Sequence, residues 1–140
     1  MKVLFIGGTG IISSACSALA VERGIELYLL LRGKSQTRPV PAGAHVLTAD
    51  INDRSAVAAA LGDMRFDSVV DFIAFTVEQV ERDLELFARR TRQYVFISSA
   101  SAYQTPPSRL PVTESTPLMN PHWQDDYRRG HDVTRPRPHN

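Results

Sequence analysis

The segment that most constrains this chain is Gly7-Gly8-Thr9-Gly10-Ile11-Ile12-Ser13. It follows a short apolar run, Lys2–Ile6, that reads as a buried strand. It opens an apolar helical pattern over residues 12–23 (Ile12, Cys16, Leu19, Ala20) that Gly24 stops. Glycines at a strand-to-helix turn let the backbone fold sharply and leave no Cβ in the way of an approaching group. The helix that starts there presents unpaired N–H groups and the positive end of its dipole, which together select an anion. A glycine pattern alone says little; its place between strand and helix gives it weight.

The rest of the chain repeats the alternation. Residues 27–31 read as a second buried strand, 35–43 as a Pro/Gly loop and 46–49 as a brief third strand. Asp53 caps a helix over 55–61. Residues 69–74, apolar but for Asp71, read as the fourth strand. A long helix is expected over 77–92, with Val77, Val80, Leu84 and Phe87 on its buried face. Arg89, Arg90 and Arg92 are expected to meet its C-terminal dipole, and 94–97 to form the fifth strand. Strand–helix–strand repeats with short connections imply an α/β fold. The expected fold class is a Rossmann-type, doubly wound parallel sheet of about five strands in the order 3-2-1-4-5, incomplete.

Bulk composition excludes more than it selects. One domain fits 140 residues, and 43% hydrophobic residues suffice for a core. A net charge of +1 gives no global pull toward nucleic acid or an anionic membrane, so neither is expected as a partner. The single cysteine, Cys16, allows no internal disulfide and reads as a small buried hydrophobe. With no secretion signal and no run long enough to span a bilayer, the default location is the cytoplasm. The histidines lack metal-ligand spacing, so no metal site is expected.

In the glycine loop, Gly7 takes the tight turn, and Gly10 lets a diphosphate approach the backbone and the free amides of the helix start. Gly7, Thr9, Gly10, Ile11 and Ile12 are the candidate cradle for the diphosphate of NAD or NADP. Ser13 holds the third glycine position of the pattern and is expected to be tolerated with a slight shift. The end of the second strand, Leu31-Arg32-Gly33-Lys34, carries no carboxylate for the ribose hydroxyls of NAD. Arg32 and Lys34 either pair with the 2′-phosphate of NADP, which mildly favours that cofactor, or are two solvated basic residues. Asp50-Ile51 lies where an adenine can be held, and Asp50 either accepts from its amine or is a turn residue like Asn52.

With these residues in place, the chain resembles the extended short-chain dehydrogenase/reductases, the NAD-dependent epimerase/dehydratase family. The resemblance covers about residues 1–124. It rests on the glycine loop, on Asp50-Ile51, and on Val70-Asp71-Phe72-Ile73-Ala74. It extends through Tyr94-Val95-Phe96-Ile97-Ser98-Ser99-Ala100-Ser101-Ala102-Tyr103 and Thr113-Glu114-Ser115-Thr116-Pro117. It implies NAD(P) binding and hydride transfer to or from a sugar-like or other secondary alcohol. By the same resemblance, Ala74 joins the cofactor-binding residues and Ser99 matches the serine that holds the substrate oxygen. The alternative for Ser98 and Ser99 is a pair of loop hydroxyls bonding their own backbone.

The family also needs Tyr-x-x-x-Lys on a helix, the tyrosine as general acid/base and the lysine lowering its pKa. Where it is due, the sequence reads Asp125-Asp126-Tyr127-Arg128-Arg129-Gly130-His131, and no lysine follows Lys34. Tyr127 with His131 is the weak substitute at the same interval. Residues 125–140, rich in Arg, Pro and His, are expected to be a disordered tail after an NAD(P)-binding domain over 1–124. The simplest expectation is a truncated product, read out of frame after Gln124. Truncation would leave an apolar patch around 69–75 and 95–97 uncovered, favouring self-association. Three functions stay open: an NAD(P)-dependent oxidoreductase or epimerase, a dinucleotide-binding or sensing module without catalysis, and an inactive fragment.

Overall fold

The computed structural model describes residues 1–34 and 38–118. The chain divides into two compact units, Met1–Ile97 and one that begins at Ser98. The expected boundary at residues 124/125 and the tail beyond it lie outside the described residues.

The first unit holds five strands: β1 (Lys2–Ile6), β2 (Glu26–Leu31), β3 (His45–Thr48), β4 (Phe66–Asp71) and β5 (Thr91–Phe96). They pair in parallel, in the expected order β3-β2-β1-β4-β5. Three helices intervene: α1 (Ile11–Glu22), α2 (Arg54–Leu61) and α3 (Val77–Phe87). Because side chains alternate along a strand, β1 feeds two cores. Leu4 and Ile6 pack with Val69, Val57, Leu61 and Phe87 on one face. Val3 and Phe5 pack with Leu27, Leu29 and Ala20 on the other. Val57, Leu61 and Phe87 are fully buried anchors of α2 and α3. Each contributes about 1.5–3 kcal/mol by burial, more than the roughly 1 kcal/mol of a cap, so packing holds these short helices in place.

Local chemistry sets the helix starts. Asp53 accepts from the amides of Ser55 and Ala56 at 3.1 and 3.0 Å, as expected of a cap. Thr76 and Gln79 close a reciprocal box at the start of α3: Thr76 Oγ1 accepts from Gln79 N at 3.3 Å, and Gln79 Oε1 accepts from Thr76 N at 3.2 Å.

Several expectations need correction. The fourth strand runs over Phe66–Asp71 and not over 69–74. Asp71 Oδ1 accepts from the amides of Ile73 and Ala74, at 2.8 and 2.9 Å, and this side-chain turn ends the strand. The third helix stops at Phe87, because Thr91 already belongs to β5. Its buried face is also rotated: Val77 and Leu84 are exposed, while Asp83 is fully buried beside Phe87. In consequence Arg90 serves a different helix end, donating to the Gly62 and Met64 carbonyls just past α2.

The buried face of α1 is Ser13, Ser17 and Ala20, with Ile12 and Leu19 exposed and Cys16 only half-buried. Small residues bring the helix close to the sheet. The buried Ser17 hydroxyl donates to the Gly8 carbonyl at 3.0 Å, so no polar atom is stranded there. The expected apolar patch is partly realised: Ile73, Phe75 and Phe96 are exposed, whereas Val69 is fully buried and Val70 and Val95 are half-buried.

The described part of the second unit, residues 98–118, is irregular apart from one 3-10 turn, Ala100–Ala102. Its ends are tied by Gln104 N donating to Pro117 O at 2.8 Å. Thr113 and Thr116 exchange hydrogen bonds of 3.0 and 2.9 Å.

Replacing Arg90 with Met removes a cation from the carbonyls past α2 while keeping the apolar stem. The expected loss is about 1 kcal/mol in urea unfolding, since the group is partly solvated. An unchanged midpoint would show that water serves those carbonyls equally well.

Candidate functional site

The loop after β1 is shaped by two glycines. Gly7 (φ +87°) and Gly8 (φ +144°) lie where side chains are strained, and a Cβ on Gly8 would stand 2.7 Å from Leu29 Cδ2. The Gly7 amide donates to Leu30 O at 3.0 Å, which carries the β1–β2 ladder one residue further. Gly10 is different. Its φ of −76° suits any residue, and it stands at the N-cap of α1.

Ser13 does more than fill the third glycine position. Its side chain is buried in the first turn, and its Oγ accepts from the Gly10 amide at 2.9 Å. In this loop that amide is therefore taken. The amides of Ile11, Ile12 and Ser13 begin a helix and have no carbonyl one turn back within it, so they remain the donors of the cradle. The Ile11 and Ile12 side chains themselves are exposed.

The loop forms one wall of a cleft of about 360 Å³ at the carboxyl end of the sheet. Gly7, Thr9, Gly10, Arg32 and Ile51, all singled out in the sequence, line it. Leu30 and Ala49 add apolar surface, and every lining residue belongs to Met1–Ile97. Asp50 is not on the lining. Its Oδ1 accepts from the backbone and the side chain of Asn52, both at 3.0 Å. The Asn52 backbone bond lowers its pKa most, with smaller contributions from the Asn52 side chain and the charges of Arg32 and Lys34. Ala74 is buried, its amide held by Asp71. Arg32 and Lys34 are exposed, and among the described residues no carboxylate lines the cleft.

Three polar lining residues were not singled out in the sequence: Asn52, Gln79 and Arg82. Gln79 had a legible signal, the Thr76-x-x-Gln79 box; Arg82 had none. Behind Arg82 lies a buried polar group. Arg82 donates to both carboxylate oxygens of Asp83, at 2.7 and 2.9 Å. Tyr94 donates its hydroxyl to Asp71 Oδ2 at 2.7 Å. Asp71 and Asp83 are both fully buried. Burial pushes the Asp83 carboxyl above its usual range, and a side-chain hydrogen bond with Asp71 adds to the rise while Arg82 opposes it. Burial, then Asp71, push the Tyr94 phenol well above its usual value.

Ser99 lies in the second unit. It caps the Ala100–Ala102 turn, accepting from Ser101 N at 3.2 Å, and its Oγ lies 2.8 Å from Ser101 Oγ. Tyr127 and His131 lie outside the described residues. Among the described residues, no group of three or more His, Cys, Asp and Glu is placed to hold a metal ion. None of their helices is long and apolar enough to cross a membrane.

Comparison with known proteins adds to this geometry. The family model described as "NAD dependent epimerase/dehydratase family" matches residues 3–128. The chain is 31% identical to a UDP-glucose 4-epimerase of Lactobacillus helveticus, over 87% of this chain and 43% of that protein. It is 30% identical to the UDP-glucose 4-epimerase of Corynebacterium glutamicum, over 85% and 41%. The chain thus spans less than half the length of these curated relatives. Among solved structures, a short-chain dehydrogenase/reductase superfamily protein from Agrobacterium tumefaciens with bound NAD has a TM-score of 0.66 and 26% identity, over 85% of this chain and 39% of that one. The UDP-glucose 4-epimerase from Bifidobacterium longum, in complex with NAD+ and UDP, has a TM-score of 0.69 over 93% of this chain and 48% of that one. At 18% identity the latter shows the fold alone.

The two kinds of glycine separate fold from site. Gly8→Ala is expected to cost about 2–3 kcal/mol through backbone strain and contact with Leu29. Gly10→Ala should cost less than about 1 kcal/mol, because its Cβ meets only Ser13 Oγ, at 3.1 Å. Denaturant melts of both variants check the ranking. Asp83 gives a pH signature. A carboxyl whose pKa is raised by folding binds its proton more tightly in the native state. The stability it contributes is complete below the usual value of 3.8 and is lost as pH rises through the native value. The stability of wild type relative to Asp83→Asn should therefore fall across that range; a difference that is flat or rises with pH would contradict the assignment.

Proposed function

We propose that this chain, which belongs to the NAD-dependent epimerase/dehydratase family, holds NAD in the cleft above β1, with the diphosphate on the Gly7–Ser13 loop. The observation that carries this reading is the pair of glycines at positive φ leading into a helix whose first amides lack intrahelical partners, on the wall of a cleft of about 360 Å³. The residues fit the group. Gly7, Thr9 and Gly10 bound the diphosphate, Ile11 and Ile12 supply backbone N–H donors, and Ile51 with Ala49 and Leu30 gives apolar surface for an adenine. Asp50 and Ala74 act from behind the lining, as turn and as backbone support. When bound, the nicotinamide supplies a hydride acceptor or donor.

NAD is the cofactor named for the Agrobacterium tumefaciens relative. The finer preference for NADP is supported by Arg32, which lines the cleft where, among the described residues, no carboxylate does. The substrate class is a sugar-like secondary alcohol, by analogy with the relatives named UDP-glucose 4-epimerases. Ser99 is the residue proposed to hold its oxygen, with Tyr127 a weaker candidate for proton transfer. The alternative reading is a dinucleotide-binding module without turnover, favoured by Lys34 being the last lysine of these 140 residues, which carry no Tyr-x-x-x-Lys pair. A cytoplasmic location fits a nicotinamide dinucleotide as ligand.

Titration of the purified chain with NADH and NADPH, followed by fluorescence or calorimetry, tests the reading. Saturable binding is expected, weakened about tenfold or more in Gly10→Asp, which sets a carboxylate against the diphosphate. Arg32→Ala should lower affinity for NADPH more than for NADH. Folded protein that binds neither dinucleotide would overturn the assignment.

A further inference from the structure

We propose, resting on the dinucleotide reading above, that Arg82 is a positioning residue for the adenine end of the cleft, clamping the turn after β3 to the turn after β4. On one side its NH1 donates to Asn52 Oδ1, and Asn52 in turn fixes Asp50 through two bonds of 3.0 Å. On the other side its Nε and NH2 engage both oxygens of Asp83, whose carboxyl lies near enough to Asp71 for burial and that neighbour together to raise its pKa. Asp71 holds the Ile73 and Ala74 amides on its other oxygen. One guanidinium therefore sets the relative placement of Asn52 and Ile73, two lining residues on different loops.

Stability alone does not account for this arrangement. The Asp83 carboxylate is fully buried and the Arg82 side chain is 17% exposed, so both charges have shed most of their water. A buried ion pair of this kind is often no more stabilising than apolar residues of similar size. What it supplies is direction: a planar fork with fixed donor geometry, which a lysine cannot reproduce. The fork is turned so that its third partner, Asn52, stands on the cleft wall beside Ile51, where the adenine is assigned.

The test compares three proteins: wild type, Arg82→Lys, and the double variant Arg82→Met/Asp83→Asn. The double variant removes both charges together and so avoids a buried, unpaired carboxylate that could block folding. Binding of NADH and of AMP is titrated, and amide hydrogen exchange is followed without ligand. In both variants melting is expected to stay near wild type, with NADH and AMP affinity falling together by about tenfold. Exchange at Asn52, Ile73 and Ala74 is expected to quicken while the core of β1 stays protected. A folded double variant with wild-type affinity for both ligands would overturn the proposal. So would full affinity in Arg82→Lys, because charge and not the fork would then suffice. If wild type binds neither ligand, the dinucleotide reading fails, and exchange decides the clamp by itself. Unchanged protection at those three amides in the double variant would refute it.

Discussion

A carboxylate with no exposure to water must find all its partners inside the protein, and much of this fold is arranged around that demand at Asp71. The residue sits at the last position of β4, paired in register with Ile6 on one side and Phe96 on the other. One oxygen collects two backbone amides and so ends the strand; the other takes the Tyr94 hydroxyl from β5. Asp83 and Arg82 approach from α3. The end of the strand and the turn toward α3 follow from satisfying this single side chain.

The opposite face of the sheet obeys a steric rule instead. Helix α1 lies close because Ser13, Ser17 and Ala20 are small, and because Gly8 has no Cβ to meet Leu29. Two hydroxyls make that closeness tolerable, each bonding the loop the helix grows from. The glycine loop and the helix packing are thus one feature.

These two regimes explain how much of the molecule could be read from its residues. The strand order, the glycine turn at Gly7 and the Asp53 cap were legible, because each depends on neighbours in sequence or on apolar runs. The end of β4 and the face of α3 were not. Apolar periodicity puts Val77 and Leu84 inside, and it carries no signal that Asp83 turns inward on the Arg82 guanidinium in their place. The site divides the same way. Gly7, Thr9, Gly10, Arg32 and Ile51 were found as loop positions, whereas Asn52 and Arg82 meet across 30 residues of sequence and no local pattern joins them. Arg90 was expected at the end of its own helix, but the carbonyls it serves belong to the helix before.

The bond from the Gly10 amide to Ser13 Oγ has a kinetic meaning. Where binding requires a flexible loop to be ordered, that ordering costs affinity and slows capture. Here the first turn of α1 closes its own N-cap amide with its own hydroxyl, which ties the loop to the helix it leads into. For the dinucleotide proposed here, arrival would then be a docking event limited by diffusion and orientation, with differences in affinity among variants of this loop carried by the rate of departure.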